Sequence, residues 1–154
     1  MTPASITLDD QHWPLLILYF VGSPSVEQCR EFFVRRTEYL DRDELHVGIS
    51  DATRMKLPPV EYRQMQSEWV TQHQARLART FLGTASLIVA PDILLLKSAS
   101  VYQHSALPYP TINVTTMRAG VVWAAERLVT AGLDEAARRL RRSFGLDGTT
   151  PPSR

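Results

Sequence analysis

The segment from Trp13 to Val21 constrains this chain most. It is a nearly continuous apolar run with no charge in it. Strands with one wet face alternate, whereas strands covered on both faces read as unbroken apolar runs. The run is far too short to span a bilayer, so it reads as a strand entering the centre of a sheet. Ahead of it, Ser5-Ile6-Thr7-Leu8 alternates as a short edge strand, and Asp9-Asp10-Gln11 reads as the hairpin turn between them. Gly22-Ser23-Pro24-Ser25 then stops the strand. Pro24 suits a first helical turn, with Ser23 or Ser25 as the cap.

The first helix runs to about Arg42. Val26, Cys29, Phe33, Arg36, Thr37 and Leu40 share one face, with Phe32 beside them. Leu45 to Ile49 alternates as the next strand. A strand following a helix so closely is a parallel neighbour reached by a right-handed crossover. A second helix spans about Pro59 to Thr80, with Tyr62, Met65, Trp69, His73 and Leu77 at helical spacing and Gly83 ending it. Ala85 to Ala90 reads as a buried strand, and Pro91-Asp92 opens a helix through about Gln103. Leu107-Pro108-Tyr109-Pro110 is irregular, because two prolines break any ladder or helix.

Thr111 to Val114 is the last strand. Thr115 or Thr116 caps a helix carrying Val121, Val122, Ala125, Leu128 and Val129 inward, and Gly132 ends it. A short helix from Asp134 to Phe144 follows, with Leu133, Ala137, Leu140 and Phe144 as its inner edge. The expected fold is a single α/β domain over residues 5–145. It has a mixed, mainly parallel sheet, an N-terminal hairpin, packed helices and a short C-terminal helix. Residues 146–154 read as a disordered tail.

A chain of 154 residues suits one domain and buries a core without staples. A net charge of +1 supplies no field to attract nucleic acid or anionic lipid. The single cysteine, Cys29, excludes an intramolecular disulfide and any multi-cysteine metal site. Met1 to Asp10 carries no signal-peptide pattern, and the expected location is the cytoplasm.

The element order resembles the SpoIIAA-like branch of the STAS and Sec14-related domains. Three passages carry the resemblance: the hairpin ending Ile17-Leu18-Tyr19-Phe20-Val21-Gly22, the strand Val47-Gly48-Ile49-Ser50-Asp51, and Ile112-Asn113-Val114-Thr115-Thr116 followed by Ala119 and Trp123-Ala124-Ala125-Glu126-Arg127-Leu128. Together they span about Ile6 to Leu133. The resemblance implies a mixed sheet with packed helices and a binding or regulatory role. Family members that antagonise anti-sigma factors are phosphorylated on a serine at the start of the helix after the third strand. Here that stretch is Met55-Lys56-Leu57-Pro58-Pro59, which has no hydroxyl.

Candidate chemistry is sparse. Asp51, Thr53 and Arg54 stand where an α/β sheet usually meets a ligand or partner. An Asx-type turn is the simpler account of Asp51, which is the one carboxylate to nominate for acid–base work. Trp13, Trp69 and Trp123 are candidates to line an apolar pocket, or they fill the core. Arg138, Arg139, Arg141 and Arg142 form a candidate anion patch, or a solvated helix face. No catalytic set, phosphate loop or dinucleotide glycine pattern is present. His12, His46, His73 and His104 have no metal spacing. The reading is a non-catalytic regulatory or protein-interaction module with a protein partner and no cofactor, no metal and no specific nucleic acid. A carrier of a small apolar or lipid-like ligand is the alternative. The oligomeric state stays open, a homodimer included.

Overall fold

The computed structural model describes residues 3–88 and 107–146. In chain order the elements are β1 (Ser5–His12), β2 (Leu15–Gly22), α1 (Val26–Asp41), β3 (His46–Met55), α2 (Glu61–Gln72), α3 (Gln74–Thr80), β4 (Phe81–Leu87), β5 (Thr111–Val114), α4 (Met117–Thr130) and α5 (Asp134–Ser143). The helix expected from Pro91 lies outside the described residues. So do the end of the strand expected at Ala85 to Ala90, and residues 147–154 of the expected tail.

The sheet runs β1-β2-β3-β4-β5. β1 pairs antiparallel with β2, and every later pairing is parallel. This is the expected mixed, mainly parallel sheet opened by a hairpin. Alternation divides the core in two. Leu15, Ile17, Val47, Ile49, Ala85 and Leu87 face α4 and α5, where Val121, Ala124, Ala125, Leu128, Ala137 and Leu140 meet them. Leu16, Leu18 and Phe20 face the other way, against Phe32, Phe33 and Leu40 of α1, Trp69 of α2 and Leu77 of α3. Helices therefore cover both faces, which is why β2 has no polar alternation. Leu146 packs against the first of these cores, one residue into the stretch expected to be tail.

Several boundaries move. Asp9-Asp10-Gln11 is not the hairpin turn but lies within β1, at a register shift between Asp9 and His12. The turn falls at Trp13-Pro14, where proline's missing N–H costs the ladder nothing. β3 continues past Ile49 to Met55. The second helix breaks at His73 (φ −110°, ψ 21°), and Leu77 of the next turn is fully buried. Val122 and Val129, expected inward, are both 41% exposed.

Gly83 does not end a helix. It lies inside β4 at φ +127°, where an added Cβ would sit 2.6 Å from the Pro110 carbonyl oxygen and 2.8 Å from the Trp123 ring. No side chain fits at that crossing, so glycine is required by space as well as by backbone conformation. The caps, by contrast, follow local chemistry. Ser25 and Gln28 form a reciprocal capping box on α1. Thr116 caps α4 by accepting from the Ala119 N–H at 3.0 Å.

Candidate functional site

The C-terminal end of β3 is the first site the sequence points to. Tyr19 pairs with Asp51 and Val21 with Arg54, so β3 carries one residue more than β2 over this stretch. That is a β-bulge, and Asp51 stabilises it. Its Oδ1 accepts from the Thr53 backbone N–H at 3.0 Å and from the Thr53 hydroxyl at 2.7 Å. Asp51 is half-buried and Arg54 exposed. Tyr19 stands opposite Asp51, and its phenol pKa is raised, first by burial and then by the charges of Asp9 and Asp51. A carboxylate tied to its own strand has lost one oxygen to structure, and no histidine is hydrogen-bonded to it among the described residues.

Beyond the bulge the Lys56 N–H donates to the Gly22 carbonyl at 2.8 Å, holding the start of the next segment against β2. Pro58 and Pro59 follow, and the Tyr62 N–H donates to the Pro59 carbonyl as α2 begins. The apolar residues flanking the prolines point outward: Leu57 is 52% exposed and Val60 is 87% exposed. Val60 stands at the N-cap of α2 and makes no side-chain cap.

The three tryptophans do not share a cavity. Trp13 and Trp69 pack with the core under α1 and α2, while Trp123 packs with the core on the opposite face. The sheet lies between them, and this corrects the expected three-tryptophan pocket. Trp13 stacks on Tyr39 and His46, and its Nε1–H donates to the Glu44 carboxylate at 2.8 Å. The Trp69 Nε1–H donates to the Thr37 hydroxyl at 2.9 Å.

The layer holding Trp69 contains two groups that sequence reading did not nominate. His46 is buried, its Nδ1 lying 2.9 Å from the Glu44 carbonyl and its Nε2 without a partner. Nδ1 therefore carries the proton and donates it. Burial above all, joined by the Arg36 and Arg42 charges and opposed by the Glu44 contacts, lowers its pKa to about 4. Arg36 is the second group. Its guanidinium carbon stands 4.7 Å from the Trp69 ring centroid, 5.2 Å from Phe81 and 5.9 Å from Phe32. The helical period had put Arg36 on the apolar face of α1, which was its only sequence signal.

The chain matches no family profile and no curated protein in sequence. In three dimensions it is similar to an uncharacterized protein of the DUF3478 family from Shewanella loihica, itself described as having a SpoIIAA-like fold. The TM-score is 0.62 at 12% identity, covering 80% of this chain and 97% of that one. This chain has a SpoIIAA-like fold. At that identity the likeness extends to architecture alone.

The turn before α2 is the segment from Lys56 to Val60, in which Leu57, two prolines and Val60 follow the lysine and no side chain carries a hydroxyl. The arginines of α5 lie at the far C-terminal end. Arg138, Arg139 and Arg142 are exposed and Arg141 is half-buried. Arg138 pairs with Glu135 at 3.1 Å. That hydrogen bond lowers the Glu135 pKa most, and the Arg138, Arg139 and Arg142 charges add to it. One carboxylate thus offsets part of the candidate anion patch. Among the described residues there is no group of three or more His, Cys, Asp or Glu side chains able to hold a metal, and no helix long and apolar enough to cross a membrane.

Proposed function

We propose that this chain is a non-catalytic regulatory or protein-interaction module that binds a partner protein through the segment from Lys56 to Val60 and the adjoining start of α2. One observation carries the reading. Among the described residues, Leu57 and Val60 are the most exposed apolar side chains beside the C-terminal end of β3, at 52% and 87%. Apolar residues held outward on a surface mark contact sites when they are grouped and rigid. Pro58 and Pro59 restrict the backbone between them, so little conformational entropy is lost on docking. Partner binding places this surface where α/β folds commonly bind. It does not call on the Asp51 carboxylate, which the β3 bulge already uses.

The test is affinity capture from a native lysate at mild salt, comparing the wild-type chain with a Leu57→Ser/Val60→Ser double variant of matched stability. The reading expects a stoichiometric protein retained by the wild type and lost from the variant. Equal recovery by both, or no retained protein at all, overturns it.

A further inference from the structure

Arg36 has a chemical surplus that its surroundings leave unused. Aromatic faces attract the flat faces of a guanidinium, and Trp69, Phe81 and Phe32 supply three of them within 6 Å. Ring faces do not accept from the five N–H groups at the edge of the fork. Among the described residues Arg36 makes no ion pair or hydrogen bond of its own. Among the described residues the titratable groups that sense it are the phenols of Tyr62 and Tyr109 and the imidazole of His46, none of them a carboxylate. Burial dominates its environment and disfavours the charged form. Burying a charge without a partner is expensive, and cation–π contacts offset only part of that cost.

The place is nonetheless open. Arg36, Tyr62 and Tyr109 keep partial exposure, while Phe32, Leu77 and Trp69 around them are buried. Arg36, Tyr62 and Tyr109 thus stand at the solvent-facing margin of a packed aromatic layer. Phe33 and Tyr62 adjoin at 5.8 Å, and Phe81 meets Tyr109 edge-on at 4.7 Å, so the walls are aromatic on several sides. Apolar walls with a few convergent polar groups are the usual make-up of a small-molecule site.

We propose that this margin binds a small organic carboxylate, with Arg36 pairing the carboxylate and the partly exposed rings of Tyr62 and Tyr109 flanking an apolar or aromatic body. A guanidinium fork fits a carboxylate through two parallel hydrogen bonds. The phenols of Tyr62 and Tyr109 offer further donors beside it. A single cation matches a monoanion better than a phosphate dianion. The site lies between α1 and α2 and borders the partner surface at Tyr62, in the first turn of α2, but the Leu57 and Val60 side chains are not part of it. It goes beyond the partner-binding reading, and either can fail alone.

The test titrates the intact protein with octanoate, benzoate, inorganic phosphate and octylamine, following tryptophan fluorescence and thermal melting. Trp69 is the reporter, because its ring is 4.7 Å from the Arg36 guanidinium, and a Trp69→Phe variant identifies its share of the signal. The proposal expects octanoate or benzoate to bind saturably and raise the melting temperature, with no saturable response to phosphate or octylamine. Arg36→Met is expected to weaken carboxylate binding about 100-fold and to melt higher than the wild type without ligand, since an uncompensated charge is gone. Arg36→Lys keeps the charge but not the fork, and is expected to bind about 10-fold more weakly. If Arg36→Met does not fold, the Lys variant decides. Undiminished carboxylate binding by either folded variant overturns the proposal. So does a wild type indifferent to both carboxylates, or one preferring phosphate. Capture through Leu57 and Val60 is expected to be the same in wild type and Arg36→Lys.

Discussion

Asp51 and Thr53 hold each other across the bulge in β3. One carboxylate oxygen takes both the amide and the hydroxyl of the residue two positions on, at 3.0 and 2.7 Å. Removing either side chain should therefore act on stability rather than on binding. Asp51→Ala and Thr53→Val are each expected to cost about 1–2 kcal/mol by chemical denaturation. The double variant should cost less than the two added together, because they break the same bonds. Partner capture should survive in all three. A loss of capture with unchanged stability would place Asp51 in the binding surface instead.

Gly83 should be the least replaceable glycine. Alanine there puts a methyl group against the Pro110 carbonyl and the Trp123 ring at an unfavourable φ, and is expected to cost about 3 kcal/mol. Gly132 also has a positive φ, +85°, but an added Cβ meets nothing within 4 Å. Gly132→Ala should therefore cost about 1 kcal/mol. Urea denaturation of the two variants checks the contrast.

His46 sets an acid limit on the fold. Its folded pKa is lowered to about 4 from the ordinary 6.5, chiefly by burial and also by the charges of Arg36 and Arg42, against the opposing Glu44 contacts. The unfolded chain takes up that proton first as pH falls. The stabilising contribution is therefore complete above about pH 6.5, shrinks through the window below it, and is gone near pH 4. The size is about 3 kcal/mol. Denaturation midpoints from pH 8 to pH 4 should fall accordingly, and His46→Phe should flatten this part of the profile. An unchanged slope in that variant would assign the acid loss to other groups.

Phosphorylation at the start of α2 should be absent. A phosphate at a helix N-terminus is stabilised by free amides and the helix dipole. Residues 55–60 offer no hydroxyl, and two prolines there lack the amide donor. Phosphopeptide mapping of protein from its own cells is expected to find the segment unmodified. Stoichiometric phosphate on Thr53 or Ser50, with loss of partner capture in Thr53→Glu, would show a relocated switch.

Much of the architecture was legible because it rests on local signals. The apolar run of β2, the Ser25 and Thr116 caps, and the helical spacing of Val121, Ala125 and Leu128 each act within a few residues. What failed depended on neighbours distant in sequence. Ser50 to Arg54 reads as a turn by composition, yet β2 pairs with β3 as far as Met55 and β4 pairs with it as far as Asp51. Strand pairing overrides local turn preference there. Trp123 was grouped with Trp13 and Trp69 by residue type, but α4 packs on the other face of the sheet. The position of Arg36 on α1 followed from periodicity. Its lack of a carboxylate partner among the described residues did not, because that depends on what α2, β4 and the segment around Tyr109 bring to it.

The central claim is that the segment from Lys56 to Val60 is a partner-binding surface. Photo-crosslinking in living cells tests it most directly, with a benzophenone amino acid placed at Val60 and, as a control, at the exposed Val129 of α4. The account predicts one discrete adduct to another protein from position 60 and none from position 129. No adduct from position 60, the same adducts from both positions, or an adduct only to a second copy of this chain would contradict it.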